Sequence, residues 1–326
     1  MFVLLAVFLQ KLLNEMKFRS HIFSAIFILG AFLCSQAQVV NSINQDNIKK
    51  NLPKAQKTAT AKAPLPVDPN VKIDTTTTYF RMVDTAQAYV RQKDWTKAEA
   101  YLRKALAAEP TNPNNSLLIS NLATLQRYQG KLADAIKNYT LAIDMTPNAV
   151  TVLGNRAALY LQVDSIALAQ ADYEHIIAID PSDEESRYNL GMILLDQRKY
   201  QAADDQFEEI LRYHPESILA AEGKAFLYKA KGNYYKAADY FSDVIKSQPT
   251  ASLHANRADC YLMLKRLNDA ANDINSALQV TPDDGYLYLL RAKLNKLRYE
   301  SDAAKRDVKL AIEHGVDPQI ANKVIK

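Results

Sequence analysis

The sequence predicts an all-α solenoid built from about seven copies of one unit, and three observations carry that reading. Alanines recur at Ala98, Ala135, Ala169, Ala203, Ala237, Ala270 and Ala304, spaced 37, 34, 34, 34, 33 and 34 residues apart. Prolines twelve residues behind them (Pro110, Pro147, Pro181, Pro215, Pro249 and Pro282) keep the same register through the same irregularities. Glycine is scarce, 8 residues in 326, while alanine and leucine abound, a balance that favours helix. Two residue types holding one register mark an internal repeat, and a period of about 34 is that of a helical repeat array.

Within each unit a larger residue follows the alanine by four: Leu102, Tyr139, Tyr173, Phe207, Phe241 and Ile274. Tyr89, Tyr160, Tyr228 and Tyr261 precede it by nine, and Asn295 takes that place in the last unit. Gly191 precedes it by twelve, where Ala86, Ala123, Ala157, Ala225, Ala258 and Ala292 stand in the other units. This pattern resembles the tetratricopeptide repeat family over residues 79–318, without the family's usual tryptophan. The resemblance implies a right-handed superhelical solenoid of about seven helix–turn–helix units. They fall near 79–112, 116–149, 150–183, 184–217, 218–250, 251–284 and 285–318.

Each residue type has a physical reason to be where it is. Small alanines let two helices approach closely, and the larger residues fill the space between units. Gly130 and Gly232 fall at turns, where a left-handed backbone is cheap for glycine. Proline ends one helix or begins the next, because it cannot sit in a helix interior. At the end of the chain Asp317 and Pro318 read as an N-cap and first helical residue, predicting a short capping helix within 317–326.

Ahead of the repeats, residues 16–37 read as a bacterial secretory signal. Lys17 and Arg19 make a basic start, Ile22–Leu33 an apolar run, and Ser35-Gln36-Ala37 supplies small residues for cleavage before Gln38. On this reading Met16 is the start and the mature protein is exported to the periplasm or envelope. With Met1 as the start, residues 2–33 serve instead as an uncleaved membrane anchor. Leu33 before Cys34 departs from the lipoprotein pattern. Residues 38–78, with four prolines and no apolar period, read as a disordered linker reaching roughly 35 Å.

Charge and chemistry narrow the function. The net charge of +4 resides in the leader (+2) and linker (+3), leaving the repeats at −1, without the basic excess of a nucleic-acid surface. Cys260 is alone once the leader is removed and reads as a small buried residue. His21, His175, His214, His254 and His314 are scattered, and no HExxH, P-loop or nucleophile-elbow motif appears. No metal or other cofactor is expected, and the chain is not expected to be an enzyme. Asp204-Asp205 and Glu208-Glu209 read as a solvated face of a second helix.

The resemblance places binding in a concave groove lined by the first helix of each unit. Counting from unit starts at 79, 116, 150, 184, 218, 251 and 285, the sixth residue is Asn121, Asn155, Asn189 or Asn256 in four units. An amide both donates to and accepts from an extended peptide, so these four are candidate peptide contacts. Beside them lie Tyr188, Met192, Phe226, Lys229, Met263, Tyr286 and Lys293, candidates for the same groove. The family's two-carboxylate clamp needs a lysine at the fifth position, and none of Val83, Ser120, Gly154, Tyr188, Glu222, Ala255 and Leu289 is one. The partners expected are other proteins, neighbours in the envelope on the signal reading.

Overall fold

The computed structural model describes residues 78–325, so the expectations for the leader and almost all of the linker lie outside the described residues. Among the described residues there are fifteen helices and no strand. The chain divides into two compact units, separated between Ile179 and Asp180.

The first unit holds three helix pairs: α1 (Thr78–Arg91) with α2 (Trp95–Ala108), α3 (Asn115–Tyr128) with α4 (Leu132–Met145), and α5 (Val150–Gln162) with α6 (Ile166–Ile179). The second holds four: α7 (Glu184–Asp196) with α8 (Tyr200–Tyr213), α9 (Ile218–Ala230) with α10 (Tyr234–Ser247), α11 (Ala251–Met263) with α12 (Leu267–Val280), and α13 (Gly285–Leu297) with α14 (Ser301–Glu313). The short α15 (Pro318–Lys323) follows. Within each unit the second helix of one pair packs on the first helix of the next, as α2 does on α3 and α10 on α11.

The repeated alanines explain the pairing. Ala98, Ala135, Ala169, Ala203, Ala237 and Ala270 are wholly enclosed, and Ala304 nearly so. One turn on, Leu102, Tyr139, Phe207, Phe241 and Ile274 are wholly buried. Each such side chain contributes about 1.5–3 kcal/mol by leaving water. Phe207 is held most tightly. A Cβ added to Gly191 on α7 would stand 2.5 Å from its ring, and one added to Gly223 on α9 would stand 2.3 Å from it. Those two glycines therefore form the slot that the ring occupies. At the C-terminus Asp317 caps α15, and Ala321, Ile320 and Val324 cover Leu289, Val308 and Ala311 of the last pair.

All seven turns inside the pairs share one conformation, where sequence reading had reason to single out only two. Gly130 and Gly232 have φ of +74° and +76°, and Lys93, Asp164, Arg198, Lys265 and Tyr299 lie between +58° and +63°. At each turn the next N–H reaches back to a carbonyl five residues earlier: Asp94 to Tyr89, Lys131 to Gln126, Ser165 to Tyr160, Lys199 to Leu194, Asn233 to Tyr228, Arg266 to Tyr261 and Glu300 to Asn295. This is the six-to-one closure that terminates a helix at a left-handed residue. The pair geometry requires it whether or not a glycine is present.

Buried charges brace the pairs. Arg156 and Asp172, Arg257 and Asp273, and Arg291 and Asp307 are each sixteen residues apart, join the two helices of one pair, and make forked bonds of 2.6–3.0 Å. Arg156 also donates to Thr140 and Arg257 to Ser242, at 3.0 and 2.9 Å, tying each pair to the one before it. Lys224 on α9 is buried and donates to Asp204 at 2.6 Å and to Glu208, both on α8. The solvated face expected at 204–209 is therefore corrected. Asp204 is half-buried as a partner of Lys224, because α9 brings a lysine against it, while Asp205 and Glu208 remain exposed.

The turn geometry gives a direct expectation. Gly130→Ala should lower the urea midpoint by the equivalent of about 1–2 kcal/mol, from backbone strain alone, since no atom lies within 4 Å of the added Cβ. Tyr299, 93% exposed at φ +63°, should show the reverse: Tyr299→Gly should stabilise the protein. Equal midpoints for each variant and the wild type would show that these turns relax at no cost.

Candidate functional site

The first helices are where the sequence places its candidate contacts, and the structure distinguishes among them. Asn121 on α3 is buried, whereas Asn155 on α5 is half-buried. In the second unit Asn189 on α7 is largely buried and Asn256 on α11 half-buried. Asn256 is already engaged. It accepts from Lys229 Nζ at 2.9 Å and donates to the Ser252 carbonyl at 2.9 Å. Asn155 and Asn189 make no side-chain hydrogen bond among the described residues, where no fully enclosed side-chain polar atom lacks a partner. Their amides are therefore unbonded and not fully enclosed, Asn155 with more exposed surface than Asn189.

The aromatic and methionine candidates separate in the same way. Tyr188 and Met192, one turn apart on α7, are buried, and Tyr188 leans on Phe207 with ring centroids 6.4 Å apart. Phe226 on α9 is half-buried and packs edge-to-face on Phe241 at 5.2 Å. Met263 and Tyr286, at the end of α11 and the start of α13, keep 57% and 37% of their surface exposed. Among these candidates, they are the two that offer apolar surface.

The two lysine candidates are already paired. Asp259 on α11 lies 2.9 Å from Lys229 on α9 and 3.6 Å from Lys293 on α13, so one carboxylate joins three first helices. Burial pushes the Asp259 carboxyl up, but the two lysines outweigh it and hold it below the usual carboxylate range. Burial, aided by Asp259, drives the Tyr286 hydroxyl well above its ordinary value. Beside it the fully buried Cys260 thiol is pushed up to about 11 by burial, so it stays protonated and unreactive at neutral pH.

Glu222 behaves differently. It stands on α9 with its carboxyl against the hydroxyl of Tyr188 on α7, and no lysine, arginine or histidine among the described residues pairs with it. Burial raises its pKa, and the tyrosine hydroxyl offsets that only in part. Sequence reading passed over both Glu222 and Asp259. Glu222 was visible only as a fifth-position residue that is not lysine, and Asp259 carries no motif at all.

Among the described residues no group of three or more His, Cys, Asp or Glu side chains is placed to hold a metal ion. No described helix is long and apolar enough to cross a membrane.

Comparison with known proteins agrees with this architecture. Family models described as tetratricopeptide repeat match residues 82–148, 185–217 and 221–286. The crystal structure of a tetratricopeptide repeat protein from Parabacteroides merdae is 31% identical, covering 76% of this chain and 97% of that one with a TM-score of 0.64. PilW, described as a widely conserved type IV pilus biogenesis factor, is 19% identical over 64% of this chain and 96% of its own, with a TM-score of 0.54. PilF of Pseudomonas aeruginosa is 19% identical over 63% and 92%, with a TM-score of 0.52. The last two likenesses show the fold alone. No curated protein matches the chain.

The two carboxyls should respond to pH with opposite signs. Glu222 has a raised folded pKa, so its ionisation works against folding at neutral pH. Glu222→Gln should therefore stabilise by about 1 kcal/mol at pH 7, and the gain should vanish as pH falls to the ordinary glutamate value of 4.5. Asp259 has a lowered folded pKa. Asp259→Asn should destabilise by about 1–2 kcal/mol at pH 7, a deficit that disappears as pH falls below the ordinary aspartate value of 3.8. Urea unfolding of both variants across pH 3–8 is the measurement, and shifts of the same sign would contradict it.

Proposed function

The chain belongs to the tetratricopeptide repeat family, and we propose that it is a non-catalytic scaffold of the bacterial cell envelope that holds segments of partner proteins along its first-helix groove. The fold itself supports a protein-interaction role. The observation that carries the peptide reading is the amide of Asn189 in the second unit, which makes no side-chain hydrogen bond and is not fully enclosed; Asn155 in the first unit is, separately, in the same state. An extended peptide offers an N–H and a C=O to such amides, while Met263 and Tyr286 offer apolar contact. The envelope part of the reading rests on the basic start, apolar run and Ser35-Gln36-Ala37 of the leader. Partners are accordingly other envelope proteins, and no cofactor is required.

Crosslinking and capture from native envelope tests the groove. A variant with Asn121, Asn155, Asn189 and Asn256 changed to Ala, folded by circular dichroism, should lose specific partners. Changing Asn155 and Asn189 alone should weaken capture by roughly tenfold, at about 0.5–1.5 kcal/mol per hydrogen-bonding side chain. Asn256→Ala should matter less, since its amide is engaged within the protein. Identical capture by all variants would remove the groove from the function.

The apolar segment 1–15, which a cleaved signal does not need, favours a second reading. On it the protein is a membrane-tethered structural component with residues 38–78 as spacer. Sequencing the mature N-terminus decides between them: Gln38 supports the exported scaffold, and Met1 or Met16 supports the tethered form.

A further inference from the structure

Most enclosed or half-buried carboxylates of the second unit have a cation, while half-buried Glu184 takes the Ser217 hydroxyl. Asp259 takes Lys229 and Lys293, Asp273 takes Arg257 and His254, Asp307 takes Arg291, and Asp204 takes Lys224. Glu222 has only the Tyr188 hydroxyl. The lysine nearest to it on its own helix face, Lys229 two turns along α9, is held by Asp259 and Asn256. Glu222 is half-buried, and a carboxylate partly withdrawn from water without a cation opposes folding, a cost that a cation arriving from outside would relieve.

The surroundings suit an organic cation. Tyr188 lies across from Glu222 on α7, Phe226 stands one turn beyond it on α9, and the open amide of Asn189 is next to Tyr188 in sequence. Aromatic side chains beside a carboxylate favour an ammonium or guanidinium group. One carboxylate and one phenol offer too few oxygens for a divalent metal ion. The lysines that would have drawn an acidic partner are already neutralised in part by Asp259.

We propose that Glu222, with Tyr188 beside it, is the seat for a lysine or arginine side chain of the partner segment. This inference rests on the reading of the first-helix face as a peptide groove and names the charge of the peptide that fits there. The site uses Glu222 where the family's clamp for acidic tails would need a lysine, so the partner's charge is reversed. Glu222 contributes position and charge, Tyr188 holds its carboxyl, and Asn189 takes the neighbouring peptide bond.

The test is selection of a random twelve-residue peptide library displayed on phage against the full chain. Affinities of selected peptides are then measured for the wild type, Glu222→Gln, Glu222→Lys and Asn189→Ala. Selected peptides should share Lys or Arg at one position. They should bind Glu222→Gln more weakly by roughly tenfold or more, and Glu222→Lys should recover affinity for the same peptides carrying Asp or Glu at that position. Since Glu222→Gln is expected to be the more stable protein, its loss of binding is not a loss of fold. Peptides that share no basic position, or that bind Glu222→Gln as tightly as wild type, would overturn this inference while leaving the groove in place, provided Asn189→Ala weakens them. Failure to select any peptide would overturn the inference together with the groove reading.

Discussion

Two helices can share a core only if their backbones come close, and in this protein a methyl group sets that distance seven times. Ala98 through Ala304 occupy the crossing point of each pair with almost no exposed surface. A larger residue one turn on then fills the space that the close approach creates at the edge of the pair. A single pair buries too little apolar area to stand alone, so stability comes from stacking one pair on the next. The turns follow from the same requirement. To bring the second helix back against the first at this spacing, the chain enters the left-handed region at all seven connections, even where the residue is lysine, aspartate, arginine or tyrosine.

Charge is used inside the pairs in a way that spares the first-helix surface. The three forked Arg–Asp bridges satisfy every buried ion they involve, and two of the arginines add a bond to a hydroxyl of the preceding pair. Such bridges do little for stability measured against an apolar core, but they fix which helix faces meet. Lys229, Asp259 and Lys293 do the same for three successive first helices. Against this background of paired ions, Glu222 and the amides of Asn155 and Asn189 stand out as polar groups whose hydrogen-bonding or charge capacity the fold does not use up.

How much of this was legible in the sequence depended on whether a feature repeats. The alanines, the larger residues four behind them and the prolines recur at one spacing, so the all-helical repeat and its closing helix at Asp317-Pro318 could be read directly. The left-handed turns were visible only at Gly130 and Gly232. Lys93, Asp164, Arg198, Lys265 and Tyr299 have no intrinsic preference for that region and adopt it because tertiary packing demands it. The Arg–Asp bridges recur at a fixed separation of sixteen, a signal that was present but becomes meaningful only once the facing sides of the two helices are known. Candidate contacts were legible by position and not by state. Asn189 and Asn256 share a register, yet one amide is open and the other is taken, because only α9 brings Lys229 within reach of Asn256. Asp204 looked solvated for the same reason in reverse, since its cation comes from the following pair.

The slot around Phe207 bears on how such an array can change over time. Repeat proteins lengthen and shorten by gain or loss of whole units, which succeeds when neighbours are interchangeable. The unit that ends in α8 is not interchangeable, because its ring needs a glycine on each side, and Gly223 has no counterpart at the same register: the other units carry Asp84, Asn121, Asn155, Asn189, Asn256 and Leu290 there. Phe241 stands at the same register before the unit that carries Asn256, so the slot is fitted to the place the Phe207 ring takes and not to an aromatic residue as such. At this junction a change at Gly191 or Gly223 cannot come alone: any added side chain needs the Phe207 ring to move or shrink with it.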